Sequence, residues 1–407
     1  MHPTAHILTI GDELLKGSVL NTNAQFLGRE LTSGGFSVAA QISCPDDLQN
    51  ITAKLRESLD TCDLLIATGG LGPTPDDVTR DAAALYFKSR LIVSPKQLKF
   101  IQNHYARRGK VMPAMVRKEA EFPKNAVPLF NRYGIALGFS IEKAGKLAIF
   151  LPGVPSELEK MYVELVKPLI QKHFENPAPK FPLIVKNTGI SEPDVMLKLK
   201  KDFFEDAFDF GIYPEIGEVS LRLYAPTAAV QKKLRAKILS RLKGYTYALE
   251  ETSLSAVIGQ ILTSRKQTLA AAESCTGGLL SAEITRIPGA SRYFKGSLVA
   301  YSNEIKQNGL DVPEKILKTQ GAVSRSTAGL MASGARKKMK TTYALGITGI
   351  AGPGGGSPSK PVGWVYISLS GPAGTKIWEE HCWGDRKQIQ MRAVKKALEY
   401  LWRTLKK

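Results

Sequence analysis

A short apolar run, Leu64–Ala67, stops in the loop Thr68-Gly69-Gly70-Leu71-Gly72-Pro73-Thr74. This abrupt change from strand to glycine constrains the fold more than any other feature of the chain. It sits in an alternating pattern. Ala5–Ile10 reads as a buried strand, and Thr22–Gly34 as a helix with Phe26, Leu27 and Leu31 on its apolar face. Ser37–Ser43 is strand-like and Leu48–Leu59 is a second amphipathic helix. Strands alternating with helices predict an α/β domain with a parallel sheet covered on both faces. Ligands on such sheets bind beyond the carboxyl ends of the strands, where this loop falls. A second loop, Leu151-Pro152-Gly153-Val154-Pro155, follows the strand Leu147–Phe150. A helix from Ser156, its expected N-cap, to about His173 closes the unit.

Asn176-Pro177-Ala178-Pro179-Lys180 has the composition of a linker. It divides the chain into a first domain over 1–175, a small α+β domain over 180–250 and a last α/β domain over 253–407. In the middle part Leu183–Lys186 and Glu218–Tyr224 read as strands, and Pro193–Phe204 and Ala229–Leu242 as helices. The last domain starts with a helix at Leu254–Ser264. It continues through the strand Thr268–Ala271, a Ser/Gly turn and further βα alternation to a C-terminal helix.

The length of 407 residues suits two or three domains, and 43% hydrophobic with 23% charged residues is an ordinary globular composition. No apolar run approaches the roughly 20 residues of a membrane span. The start of the sequence lacks the pattern of a secretory signal. Cys44, Cys62, Cys275 and Cys382 are scattered without a CxxC pair, which argues against structural zinc or a disulfide framework. A reducing cytoplasm is the expected location. The net charge is +19, and residues 251–407 hold 23 Lys and Arg against 10 Asp and Glu. This excess fits solvated helix faces and a field that attracts a phosphorylated small molecule. The alternative is a nucleic-acid-associated protein, but no stripe of aromatics interleaves the basic residues.

Four segments of the last domain carry chemical groups in suggestive order: Ala272-Glu273-Ser274-Cys275-Thr276-Gly277-Gly278, Tyr301-Ser302-Asn303-Glu304-Ile305-Lys306, Gly346–Gly356 and Gly384-Asp385-Arg386. Ser274 falls on a turn between strand and helix, where helix-start N–H groups are expected to be available for an oxyanion or a phosphate. His381 is the domain's one histidine, and it sits in a strand-like segment that suggests packing or exposure. A Ser-His-Asp triad is therefore poorly supported, and a Ser–Lys arrangement stays open if Lys306 is held neutral. Cys275 is a rival nucleophile that chemistry alone does not separate from Ser274.

The blocks AAESCTGG (271–278), PGASRYF (288–294), AYSNEIK (300–306), GAVS (321–324), GITGIAGPGGG (346–356), KPVG (360–363) and GDR (384–386) resemble, in the same order, the C-terminal domain of the CinA family. The resemblance implies an amidohydrolase that converts nicotinamide mononucleotide to nicotinate mononucleotide and ammonia without a cofactor. It implies Ser274 as nucleophile, Lys306 as general base and Tyr301 as an assisting hydroxyl. Arg386 falls at the family's functional arginine, a candidate for the substrate phosphate. Thr276, Gly277, Thr348 and Gly349 are further substrate-contact candidates. A homodimer is also implied.

The first domain shares this resemblance through Ile10–Gly17, Asn21-Thr22-Asn23, TGGLGPTPDDVTRD (68–81) and LPGVPSE (151–157). It is similar to a molybdopterin-binding fold with a parallel or mixed sheet, associated in this family with an ADP-ribose pyrophosphatase. The middle segment resembles a KH-like domain, although no GxxG loop is evident. Gly69, Gly70, Gly72 and Thr74 are candidate phosphate contacts. Asp76 and Asp77 are candidate ligands of the divalent metal (Mg, Mn or Co) that the resemblance implies, or else the caps of a helix starting near Val78. Two departures stand out: Leu137 replaces a proline after Asn131-Arg132-Tyr133-Gly134-Ile135-Ala136, and Cys44-Pro45 precedes Asp46.

Overall fold

The computed structural model describes residues 2–175, 180–200, 203 and 210–406. The chain forms two units, Met1–Phe181 and Pro182–Lys407. The linker at 176–179 and the 201–204 end of the helix expected from Pro193 lie largely outside the described residues.

The described residues of the first unit form eight strands: β1 (Thr4–Ile10), β2 (Ser37–Cys44), β3 (Leu64–Thr68), β4 (Leu91–Val93), β5 (Glu121–Pro123), β6 (Val127–Leu129), β7 (Gly138–Lys143) and β8 (Lys146–Leu151). Six form one sheet in the order β2-β1-β3-β8-β7-β6, and β4 and β5 pair separately. β2, β1, β3 and β8 are parallel; β7 and β6 run antiparallel. The sheet is thus mixed, as its short β7–β8 connection requires: Ala144 and Gly145 cannot carry a crossover. Alternate residues face two cores. Ile7, Leu64, Ile66 and Ile149 enter one; Leu8, Leu65, Ala67 and Phe150 enter the other. Such two-sided burial demands the nearly continuous apolar runs seen in the sequence. The closing helix begins at Pro155 rather than Ser156, with Val154 as N-cap. It contains a π segment, Tyr162–Val166, just before Pro168, which has no N–H for a regular helical bond.

Among its described residues the second unit contains two sheets. β9 (Phe181–Thr188), β10 (Phe210–Glu215), β11 (Glu218–Ala225) and β12 (Thr246–Ala248) follow the order β10-β11-β9-β12. β10 escapes a reading by alternation because it holds Gly211 and Pro214; its edge position tolerates both. The last sheet uses β13 (Leu269–Glu273), β14 (Phe294–Val299), β15 (Tyr343–Gly349), β16 (Trp364–Gly371) and β17 (Gly374–His381) in the order β14-β13-β15-β16-β17. Its first three strands are parallel, but β16 and β17 form an antiparallel hairpin instead of continuing the βα alternation. Pro372 and Ala373 alone join these two strands, too short a link for a crossover. The middle segment shares this unit with the last sheet: Lys395 reaches Glu218 at 2.8 Å. No helix among the described residues is long and apolar enough to cross a membrane.

Candidate functional site

β13 is buried at every residue, and its last residue, Glu273, is fully inaccessible. The chain leaves the sheet at Ser274, whose N–H donates to Ile347 O of the neighbouring β15 at 2.9 Å. Gly277 N–H returns to Ser274 O at 3.1 Å, and Gly277 and Gly278 then take positive φ of 59° and 101°. Glycine suits those two steps because it carries no Cβ. The helix Leu279–Thr285 starts directly afterwards.

The start of this helix is not free to bind an anion, contrary to the expectation from sequence. Glu273 accepts from Gly278, Leu280 and Ser281 N–H at 3.0 Å each and from Ser281 Oγ at 2.5 Å. A buried carboxylate has taken the orphan donors that the helix would otherwise offer.

Lys306 lies on the helix Asn303–Leu310, which Ser302 caps by accepting from Ile305 N–H. It is 1% exposed, and its Nζ stands 3.1 Å from Ser274 Oγ. Nζ also donates to Ala300 O at 2.8 Å and Tyr301 O at 3.1 Å. No carboxylate pairs with it among the described residues. Burial holds its pKa below the ordinary lysine range, against a smaller opposing effect of Cys275. A neutral amine has two N–H groups and one lone pair. The two carbonyls use the N–H groups, and the lone pair remains for the serine proton.

The same geometry separates Ser274 from Cys275. Burial pushes the Cys275 thiol up to about 12, which removes the reactive thiolate at neutral pH. Its side chain packs in the apolar core, and its carbonyl accepts from Gln390 Nε2 at 2.7 Å.

Tyr301 and Arg386 meet at the rim. Tyr301 is 59% exposed. Its backbone carbonyl, not its hydroxyl, holds Lys306; the hydroxyl receives Arg386 Nη2 at 2.8 Å. Arg386 opens the helix Arg386–Leu405, which Asp385 and Gln388 cap reciprocally, and its Nη1 donates to Gly352 O at 2.5 Å. Thr348 is fully buried, with its hydroxyl on Ala322 O at 2.8 Å. Gly349 lies where a Cβ would meet Val365 and the Trp364 carbonyl. These contacts give Thr348 and Gly349 structural partners. His381 is exposed and stacks edge-on against Trp364, away from any nucleophile pairing.

In the first unit, the loop after β3 lines a cavity of about 520 Å³. Gly69 (φ 104°) passes so close to Ile10 that a Cβ would meet its carbonyl oxygen. Thr79 Oγ1 donates to Gly69 O at 2.8 Å. Arg80 is fully buried and donates to Leu71 O and Gly72 O. With the carbonyls occupied, the N–H groups of Gly70, Leu71 and Gly72 have no partner among the described residues. Asp77 does not cap a helix: it accepts from Thr74 N–H and Oγ1 at 2.9 and 2.5 Å, and the helix Thr79–Tyr86 has no side-chain cap. That Thr74 hydroxyl is thereby engaged. Asp76 is an exposed carboxylate, held low chiefly by its hydrogen bond from Thr74.

Six carboxylates, Glu13, Asp46, Asp76, Asp77, Glu119 and Glu157, line the cavity, and no lysine or arginine does. Sequence reasoning missed Glu119, which is 2% exposed, has one oxygen without a partner and is pushed up to about 7, mainly by burial. All-oxygen donors suit a hard divalent cation. However, no group of three or more metal-ligating side chains converges among the described residues. Leu137, at the departure from the expected proline, is buried and donates its N–H to Glu119 O at 2.9 Å, a bond proline cannot make. Cys44 is likewise packed in the core, with Asp46 still reaching the cavity.

Comparison with known proteins agrees with this two-part organisation. Residues 251–405 match the family described as CinA C-terminal domain, and residues 6–172 match the one described as "Probable molybdopterin binding domain". A competence-damage inducible protein of Caldicellulosiruptor bescii is 38% identical over 405 residues, covering 98% of either chain. One from Clostridium botulinum (strain Langeland) is 39% identical over 410 residues, covering 99% of this chain and 100% of its own. The crystal structure of CihA from Agrobacterium tumefaciens is 39% identical and covers 38% of this chain and 94% of its own, with a TM-score of 0.37. The fold and site thus define a chain that joins a molybdopterin-binding-type sheet domain to a CinA C-terminal domain. It belongs to the CinA family of competence-damage inducible proteins.

Proposed function

We propose that the last domain hydrolyses the carboxamide of nicotinamide mononucleotide by a Ser–Lys mechanism. The observation that carries this reading is the buried Lys306 Nζ, 3.1 Å from Ser274 Oγ, with its N–H groups on two backbone carbonyls. Neutral Lys306 takes the Ser274 proton as Oγ bonds to the amide carbon. The resulting ammonium returns that proton to the leaving nitrogen, and ammonia departs. Water, deprotonated by the same amine, then frees the serine and releases the nicotinate nucleotide. The nucleotide itself comes from the family likeness, and the exposed Arg386 at the rim suits its phosphate. The test is ammonia release from nicotinamide mononucleotide, which should be abolished in Ser274→Ala and Lys306→Met and persist in Cys275→Ser.

A second reading concerns the first domain, and the three free loop N–H groups favour it. They offer a cradle for a phosphate. We infer a pyrophosphate-bearing nucleotide such as ADP-ribose as its ligand. A divalent ion, with Asp76 as one ligand, would supply the charge balance that this acidic cavity lacks. AMP formation from ADP-ribose with and without Mg, Mn or Co tests it; no turnover with any of them would reject it.

A further inference from the structure

If Ser274 attacks an amide, negative charge develops on the amide oxygen and must meet donors nearby. The obvious donors are unavailable: Glu273 holds the helix-start N–H groups, and Thr348 donates to Ala322 O. Two N–H groups on the turn have no hydrogen-bond partner in another residue among the described residues, those of Cys275 and Thr276. A trans peptide points its C=O and N–H in opposite directions. Ser274 O faces into the turn toward Gly277 N–H, so Cys275 N–H faces out of it. Cys275 O faces Gln390, so Thr276 N–H faces away from the helix Arg386–Leu405. Thr276 itself is 3% exposed, and its hydroxyl has no partner. A buried hydroxyl without a partner is costly, and this one stands two residues from Ser274 on the same turn.

We propose that the Thr276 hydroxyl and the N–H groups of Cys275 and Thr276 form the oxyanion hole of the Ser274 site. Thr276 is then a catalytic residue, touching the oxygen that becomes charged. Glu273 positions it, by keeping the helix start closed and the turn fixed. As Ser274 Oγ bonds to carbon, the carbonyl π pair moves to the oxygen in this hole, and the serine proton passes to Lys306. Collapse restores the carbonyl and expels ammonia with that proton. The proposal rests on Ser274 being the nucleophile, but not on the identity of the nucleotide.

A fluorophosphonate probe tests it on the full chain. Ser274 Oγ bonds to phosphorus, the P–F bond breaks, fluoride leaves with the bonding pair, and the serine proton goes to Lys306. The expected result is labelling of Ser274 that Thr276→Val slows about 100-fold, while Thr276→Ser stays near wild type. Labelling of Thr276→Val within about threefold of wild type, where loss of one donor costs on the order of 100-fold, would overturn the proposal. So would equal slowing in Thr276→Ser, or absence of Ser274 labelling in wild type. A crystal structure of the labelled wild type removes any dependence on how the variant folds. The phosphonyl oxygen is expected within about 3 Å of Thr276 Oγ1 and the two N–H groups, and an oxygen placed elsewhere refutes the hole. Labelling as expected without ammonia release from nicotinamide mononucleotide would support the hole and reject the substrate.

Discussion

The two glycine turns of this chain are anchored by buried charges of opposite sign. After β3, Arg80 occupies the carbonyls of Leu71 and Gly72. After β13, Glu273 occupies the N–H groups of Gly278, Leu280 and Ser281. Each turn follows a central parallel strand and uses glycines at positive φ. The sign of the anchor decides what is left for a ligand. The cation leaves a row of N–H donors suited to a bound phosphate. The anion closes the helix start and leaves the Thr276 hydroxyl and the turn N–H groups next to Ser274 as the donors proposed for charge that appears only during reaction.

The largest effects should fall on the second turn. Ser274→Ala and Lys306→Met should each lower ammonia release about 10⁴-fold or more, because nucleophile and base act as a unit. A double variant no slower than either single one would confirm that coupling, whereas multiplicative losses would break it. Next, Glu273→Ala leaves three N–H groups unsatisfied, one buried and two half-buried, and should cost about 3–5 kcal/mol, read as a fall in the denaturant midpoint. Arg80→Met should cost less, about 1–3 kcal/mol, since it orphans two carbonyls but also removes a buried cation with an unpaired Nε. It should weaken nucleotide binding by the first domain and leave amide hydrolysis intact. Equal losses in the two variants would undo the contrast of anchors.

The smallest effect is a pH slope. Burial lowers the pKa of Lys306 below its ordinary 10.5. Between the lowered value and 10.5 the unfolded chain binds more protons, so wild-type stability rises with pH across that window. The stability of Lys306→Met relative to wild type should therefore decline as pH rises through it. A flat difference would mean that the lysine is not held neutral. In wild type, kcat/KM should rise with pH and level off above the lowered pKa.

Much of this was legible in the sequence because periodicity reports burial. The two-faced alternation of β1, β3 and β8 and the helix at Leu254–Ser264 follow directly from it. The hairpin of β16 and β17 was harder, since a buried apolar strand reads alike whether its neighbour is parallel or antiparallel. At the site, Ser274 and Lys306 emerged from chemistry and family likeness. The anchors did not, although Glu273 and Arg80 stand inside the blocks AAESCTGG and TGGLGPTPDDVTRD. Their role depends on which backbone groups point at them, and that is a property of the folded turn. Tyr301 illustrates the same limit: its residue type suggested a hydroxyl acting on lysine, while the fold uses its carbonyl.

The most direct test of the Ser–Lys assignment is to quench turnover of nicotinamide mononucleotide and map the acylated peptide by mass spectrometry. The expected adduct is an ester of the whole nicotinate mononucleotide, ribosyl phosphate included, on Ser274, absent in Ser274→Ala and in Lys306→Met. The same acyl nucleotide on Cys275, or ammonia release at the wild-type rate in Ser274→Ala, is the opposite result and rules out the Ser–Lys assignment.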